Sequence, residues 1–369
     1  MSMNTNPKIS VFLSSYNHEK FLRESIDSIL NQTFTDFELV IKDDASTDSS
    51  WEIIQSYTDP RIRAVRNDTN RQRRFADFFA SLNGEFIAIH NSDDVWEPTK
   101  LAKQVAYLDA HPETGAVFTR VQVIGEDSQP MTDGTHFYSR IFDQPNRSRQ
   151  KWLNYFFFKG NALCHPSILI RRRCYEDCGL YRRGMAQLPD FDMWVRLCLK
   201  YDIHILEDKL VSFRILANDA NASGQSTEKL IRMKFEQLQV LQNYLKITDR
   251  EEFKKVFPEM TQFDVPAYFD SRYLLARIAL EHKKDAPGQL FGLQVLFDLL
   301  NDPDKAGDIK KYYHFDTTRF TKLSGSLDVF STEENRETEE LRRQVEYYSH
   351  SRSWKITKPL RDLGEKFRK

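Results

Sequence analysis

Cysteine is scarce. Cys164, Cys174, Cys178 and Cys198 are the only four in 369 residues, too few to staple a chain of this size. Cys174 and Cys178 have no second ligand pair at zinc-site spacing, so free, mostly buried thiols are expected. No stretch approaches the roughly 18 uninterrupted apolar residues of a membrane span. The start, MSMNTNPK, lacks the apolar core of a signal peptide. A cytoplasmic protein is therefore expected. Charge of one sign is missing as well: 53 Lys+Arg meet 54 Asp+Glu for a formal net of -1, which gives no overall footprint for nucleic acid. No G-x-G-x-x-G follows the first strand and no G-x-x-x-x-G-K-[ST] occurs, so the dinucleotide fingerprint and the P-loop are excluded. A nucleotide must bind through another arrangement. With 40% apolar and 29% charged residues the chain can bury a core, and its length suits two domains and an appendage. Aromatics reach 13%, led by 27 Phe, which directs attention to sites that stack rings or touch lipid.

The apolar pattern alternates between strand and helix. KISVFL at 8–13, FELVI at 37–41, IRAV at 62–65 and EFIAIH at 85–90 read as buried strands. Between them, FLRESIDSILNQ, the segment with Trp51, Ile53 and Ile54, and RRFADFFASL carry helical spacing. This βαβ alternation predicts a largely parallel sheet, with ligands beyond the carboxyl ends of its strands. Further strands are expected at GAVFTRVQVI, at SILIRRR (167–173) and within IHILEDKLVSFRI, and helices at LAKQVAYLDAHPE and PDFDMWVRLCLKY. Residues 125–150, with Gly125, Pro130, Gly134 and Pro145, read as a flexible excursion above the site. From 227 to about 300 the spacing is helical, 301–330 is less regular, and from 331 an acidic helix carries Leu341, Val345 and Tyr348 as a short seam on which chains can pair as a homo-oligomer.

Three carboxylate clusters stand out. Asp43, Asp44 and Asp48 follow one apolar strand, and Ser92, Asp93 and Asp94 follow another. A strand-end acidic pair can hold a divalent cation or accept from sugar hydroxyls and base N–H groups; it can also simply cap a turn. Adjacent carboxylates repel unless a cation such as Mg2+ or Mn2+ compensates them. Asp190 and Asp192 open a helix two residues apart and do not share a face, so they should do different jobs: one facing a pocket as a base, the other capping or pairing with an arginine such as Arg196.

These clusters in this order resemble family 2 glycosyltransferases of GT-A type. The matching stretches are ISVFLSSYNHEKFLRESIDSILNQTFTDFELVIKDDASTDSS (9–50), NGEFIAIHNSDDVWEPTKL (83–101), CHPSILIRRRCYEDCG (164–179), LPDFDMWVRL (188–197) and, more weakly, VSFRILANDANASG (211–224). The resemblance implies a GT-A, Rossmann-like α/β fold with a mixed sheet flanked by helices: a catalytic unit over 7–225, a helical region over 226–330, and an acidic helix with a basic tail over 331–369. It implies a nucleotide pocket lined by Ser14, Ser15 and Tyr16, with Asp44 accepting from a uracil or thymine N–H, Ser92 and Asp93 near the ribose or diphosphate, and Asp94 holding Mn2+ or Mg2+. Asp190 matches the family's catalytic base; His165, Asp192, Trp194 and Arg196 would shape the sugar and acceptor pocket. The implied reaction is inverting transfer from a UDP- or dTDP-sugar.

Departures from the family pattern are Asn91 for the aspartate that often opens the metal motif, Pro189 for the glutamate before the base, and Leu216 near a frequent histidine ligand. Phe75 and Phe78 stand near the usual arginine and glycine; one of Arg71, Arg73 and Arg74, with Arg73 taken as the binding residue, is expected to reach the diphosphate instead. The ending, SRSWKITKPLRDLGEKFRK (351–369), holds seven Lys/Arg against two Asp/Glu, a local net of +5, and its Leu360, Leu363 and Phe367 suit an anionic membrane surface. Similar endings occur on glycosyltransferases of bacterial O-antigen, lipopolysaccharide and capsule assembly. They imply a lipid-linked glycan acceptor and a peripheral position on the inner face of the cell membrane. Two other readings share the sheet: a nucleotidyltransferase making an activated sugar, and a catalytically weak scaffold that binds nucleotide or glycan.

Overall fold

In the computed structural model residues 6–70, 74–131, 136–216 and 226–350 are described. Eight strands form one sheet: β1 (Ile9–Ser15), β2 (Phe37–Asp43), β3 (Ile62–Arg66), β4 (Phe86–Asn91), β5 (Val95–Trp96), β6 (Thr114–Ile124), β7 (Leu169–Arg171) and β8 (Asp202–Arg214). Their spatial order is β3-β2-β1-β4-β7-β6-β8-β5. The expected parallel half is present, β1 pairing parallel with β2 and β4. The sheet as a whole is mixed, because β7 runs antiparallel to both β4 and β6, and β5 to β8.

The alternation of side chains along each strand explains why these segments are apolar throughout. Val11, Leu13, Leu39, Ile41 and Ala88 face one core, which helices Leu22–Leu30 and Lys100–Ala110 close with Leu22, Ile26, Leu101 and Val105. Phe12, Val40, Ile87 and Ile89 face the other, closed by helices Arg149–Lys159 and Pro189–Cys198. Phe75 and Phe78 belong to that second core, Phe75 lying edge-on to Phe12 at 5.3 Å.

The second core runs on into the helical region. Val240, Leu241, Tyr244, Phe253 and Phe257 join Trp152, Phe156 and Phe157 in one cluster, and Phe157 meets Tyr244 and Phe257 at 5.1 and 5.0 Å. Aspartates start several of these helices: Asp249, Asp270, Asp285, Asp302 and Asp316 each accept from an amide in the first turn. Two of those helices, Pro303–Tyr313 and Thr317–Ser324, occupy the stretch expected to be irregular.

The excursion at 125–150 also departs from expectation. It contains the short helix Phe137–Ile141, and Tyr138 and Phe142 pack on Phe213 at 5.2 and 5.4 Å. The acidic helix is present as Thr332–His350, with Leu341, Val345 and Tyr348 each 60% exposed or more. Among the described residues no helix is long and apolar enough to cross a membrane. The basic ending at 351–369 lies outside the described residues, as does Arg73.

Candidate active site

Strand register brings the polar clusters together. Ser15 pairs with Asp43 and Ser14 with Asn91, so the carboxyl ends of β1, β2 and β4 lie side by side. At the first of them Ser14 and Tyr16 are exposed, while Ser15 is buried and its carbonyl accepts from the Asp44 amide at 2.8 Å. Asp43 is fully buried and serves its own turn, accepting from the Ser46 amide at 3.0 Å and the Ser46 hydroxyl at 2.5 Å. Asp44 is held beside it by the Asn67 amide group at 2.7 Å and the Lys42 ammonium at 3.1 Å. Asp48 accepts from the Ser50 amide at 3.0 Å, the helix-start role open to it in the sequence.

Ala45 turns this corner at φ +63°. That conformation costs an L-residue about 1–2 kcal/mol, whereas glycine adopts it freely but loses about 0.5–1 kcal/mol of chain entropy. Ala45→Gly should therefore stabilise the protein by about 0.5–1 kcal/mol, read as a higher melting temperature. A lower melting temperature would mean that the methyl group contributes packing that outweighs the strain. Asn17, at φ +53°, stabilises the same corner through its side-chain oxygen, which accepts from the Thr47 amide at 2.8 Å.

At the end of β4, the two adjacent aspartates differ. Asp94 is 1% exposed, and both its oxygens are engaged: one accepts from the Arg214 amide at 2.9 Å, the other from the Asn91 side-chain amide at 2.9 Å. Burial, and then the charge of Asp93, push its carboxyl well above the usual range. Asp93 receives no donor from another side chain among the described residues. Burial raises its carboxyl, with His18 and Arg214 acting the other way. Ser92 is paired with His18 (Oγ to Nδ1, 2.8 Å). A divalent cation would compensate these two adjacent carboxylates: Asp93 accepts from no other side chain among the described residues, and each Asp94 oxygen, with one donor, retains a further lone pair. Among the described residues no three His, Cys, Asp or Glu side chains converge, and Leu216 is buried where the family often places a histidine.

Arg214 escaped the sequence reading. It ends β8, is fully buried, and its guanidinium donates to the carbonyls of Asp93 (2.7 Å) and Gly125 (3.0 Å), to Ser128 Oγ (2.9 Å) and to Glu24 (2.7 Å). The available signal was a charge closing an apolar strand, the same signal that marked the aspartates. His90, one residue inside the end of β4, is buried beside Trp96 at 4.5 Å. Its imidazole pKa is lowered to about 3 by burial and by nearby Lys100, so it stays neutral.

The third cluster opens helix Pro189–Cys198. Asp190 is half-buried and accepts from the Asn161 side-chain amide at 2.9 Å. Asp192 is fully buried and accepts from Arg196 Nε and from the Asn243 side-chain amide, both at 2.8 Å. Asp192 is thus paired with Arg196, while Asp190 remains partly open. Arg196 spends its remaining donors on the carbonyls of Gly179 (2.7 Å) and Leu180 (3.0 Å), and Trp194 is buried edge-on to Phe118 at 5.0 Å. Asp192 and Arg196, four residues apart, lie on a helix face turned away from Asp190, whereas Trp194 shares the Asp190 face and meets the His165 ring at 5.8 Å.

His165 does lie near Asp190. Burial lowers its pKa while the Asp190 charge acts the other way, and its Nε2 meets the Tyr181 hydroxyl at 2.9 Å. Burial raises the neighbouring Cys164 thiol far above its usual range, with the charges of Asp94 and Asp190 adding to the effect. The 164–167 turn thus lies between the two carboxylate centres. It is fixed by the Trp96 indole donating to the Pro166 carbonyl (3.0 Å) and Gln104 donating to that of Ser167 (2.8 Å). Arg74 is diverted from the site, donating to the Arg183 carbonyl at 2.7 Å. The arrangement offers an acceptor carboxylate at the strand ends, adjacent aspartates that a cation would compensate, and a half-open carboxylate across one turn from them. Such a set can hold a nucleotide and take a proton nearby.

Known proteins share this chain's sequence and architecture. The family model described as "Glycosyl transferase family 2" matches residues 10–173. The chain is 34% identical over 206 residues to "Putative glycosyltransferase EpsE" of Bacillus subtilis (strain 168), covering 53% of this chain and 68% of that protein. It is 30% identical over 232 residues to "Uncharacterized glycosyltransferase MJ1057" of Methanocaldococcus jannaschii, covering 61% and 76%. Among solved structures, S. aureus TarS 1-349 in complex with UDP-GlcNAc has a similar fold, with TM-score 0.53 at 17% identity over 82% of this chain and 83% of that one.

Proposed function

The chain belongs to glycosyl transferase family 2 and is a nucleotide-sugar glycosyltransferase; from that premise we propose that it is an inverting enzyme using UDP- or dTDP-sugars. The acceptor we propose is a hydroxyl of a glycan, carried on a lipid and destined for bacterial surface polysaccharide, of O-antigen or capsule type. The observation that carries the catalytic reading is the contrast at the helix start: Asp190 is half-open with one neighbouring donor, while Asp192 is sealed by Arg196 and Asn243.

In this reading Asp190 takes the proton from the acceptor hydroxyl as its oxygen forms the bond to the anomeric carbon and the bond to the nucleoside diphosphate breaks. Attack opposite the leaving group inverts the anomeric centre. Asp44, oriented by Lys42 and Asn67, accepts the imide N–H of the base, and Ser14 and Tyr16 border the base. A bound Mn2+ or Mg2+ would supply electrostatic stabilisation of the leaving diphosphate, held by Asp93 and Asp94. We assign the ligand role to Asp94 together with Asp93, since each Asp94 oxygen accepts one donor and keeps a lone pair for a cation.

Titrating UDP-, dTDP- and GDP-sugars calorimetrically, with and without Mn2+ or Mg2+, tests this reading. The pyrimidine nucleotides should bind at least about tenfold tighter with the cation than without it, a difference near 1.4 kcal/mol. Preference for GDP-sugars, or indifference to the cation, would overturn the base and cation assignments. Membrane attachment through 351–369 is a separate part of the proposal. It fails if full-length protein ignores vesicles containing anionic lipid.

A further inference from the structure

Glu236 lies in helix Thr227–Leu241, well beyond the matched family region, and its carboxylate is fully buried. A buried carboxylate is costly unless hydrogen bonds replace its water. Here three backbone amides do so: those of Ala186, Gln187 and Leu188 donate to it at 2.7, 2.8 and 2.7 Å. They are the last three amides before Pro189, which has no N–H to offer, and Asp190 follows directly. The same helical region grips this segment twice more. Arg182 donates to Asn243 Oδ1 at 2.8 Å, and Asn243 in turn donates to Asp192 at 2.8 Å.

We propose that Glu236 is a positioning residue for the transfer reaction: the helical region holds the 182–192 segment, and through it Asp190, at the geometry that proton removal requires. This inference rests on the reading of Asp190 as the base. The donor pocket, built on β1, β2 and β4, does not touch Glu236, so loss of the grip should alter the chemical step and spare donor binding. A misplacement of about 1 Å in a reacting group can cost up to about 100-fold in rate. Glu236→Gln keeps the volume but offers one acceptor oxygen and an NH2 group to three donors, so the segment is released without a cavity.

The test combines kinetics with hydrogen–deuterium exchange on the full chain. For E236Q, kcat should fall about 10- to 100-fold with KM for the donor within about twofold, and exchange at 186–188 should accelerate while the strands keep their protection. Glu236→Asp, which retains the charge, should recover part of kcat. Arg182→Met loosens the same segment from a partly exposed side chain and should lower kcat several-fold; it decides the matter should E236Q not fold. Unchanged exchange at 186–188, kcat within twofold of wild type, or equal loss of donor affinity and kcat would each overturn the proposal. Failure of the underlying reading looks different: Asp190→Asn would then retain activity, while the exchange result would still report whether Glu236 holds the segment.

Discussion

Asp190→Asn should reduce sugar transfer by about 10²- to 10⁴-fold, the usual contribution of a positioned general base. The amide has the same shape and keeps an oxygen to accept from Asn161, which donates to Asp190 at 2.9 Å. The fold is therefore expected to survive, with melting temperature and donor affinity close to wild type. The lost property is the ability to take a proton from the acceptor hydroxyl. Initial rates with a defined acceptor, together with calorimetric donor binding, separate these effects. A variant that keeps more than about a tenth of the wild-type rate would place the base elsewhere. His165 would then be the next group to replace, since burial lowers its pKa and favours the neutral, proton-accepting imidazole near Asp190. A family member that served only as a scaffold would show no transfer in wild type and no difference in D190N.

The sequence makes β1, β2 and β4 legible because each is apolar on both faces and ends in a polar cluster, and in a parallel arrangement those ends converge. It also foresaw that Asp190 and Asp192 would part, since residues two apart on a helix point in different directions. It did not show which neighbours would complete each carboxylate. Asp94 is sealed by Arg214, 120 residues away, and the amides before Pro189 by Glu236, about 50 residues away. Such pairings are chosen by tertiary packing: a charge closing an apolar strand marks Arg214, but nothing local names its partner. The motif implies that Trp194 and Arg196 shape a pocket, and the structure places both side chains in buried positions. By contrast, helices Pro303–Tyr313 and Thr317–Ser324 had legible starts: Asp302 before a proline, and Asp316 before Thr317.

Arg214→Met should destabilise the protein by about 2–4 kcal/mol, because the Asp93 and Gly125 carbonyls lose a charged donor, while the exposed Glu24 carboxylate returns to water. The guanidinium joins three places: the Asp93 carbonyl, the turn at Gly125 and Ser128, and Glu24 at the start of helix Leu22–Leu30. The Arg214 main-chain N–H, which donates to Asp94, survives any substitution, so the measured loss belongs to the side chain. Arg214→Lys should recover less than half of it, because one ammonium cannot reproduce a planar fork aimed at several acceptors. Urea unfolding of the three proteins tests both statements. Because Arg214 braces the carbonyl of Asp93, the variants should also weaken cation-dependent donor binding more than cation-independent binding. If R214M instead unfolds within about 1 kcal/mol of wild type, the carbonyls at 93 and 125 find other donors. The ends of β4 and β8 would then be held by the Arg214 main-chain bond to Asp94 and by packing.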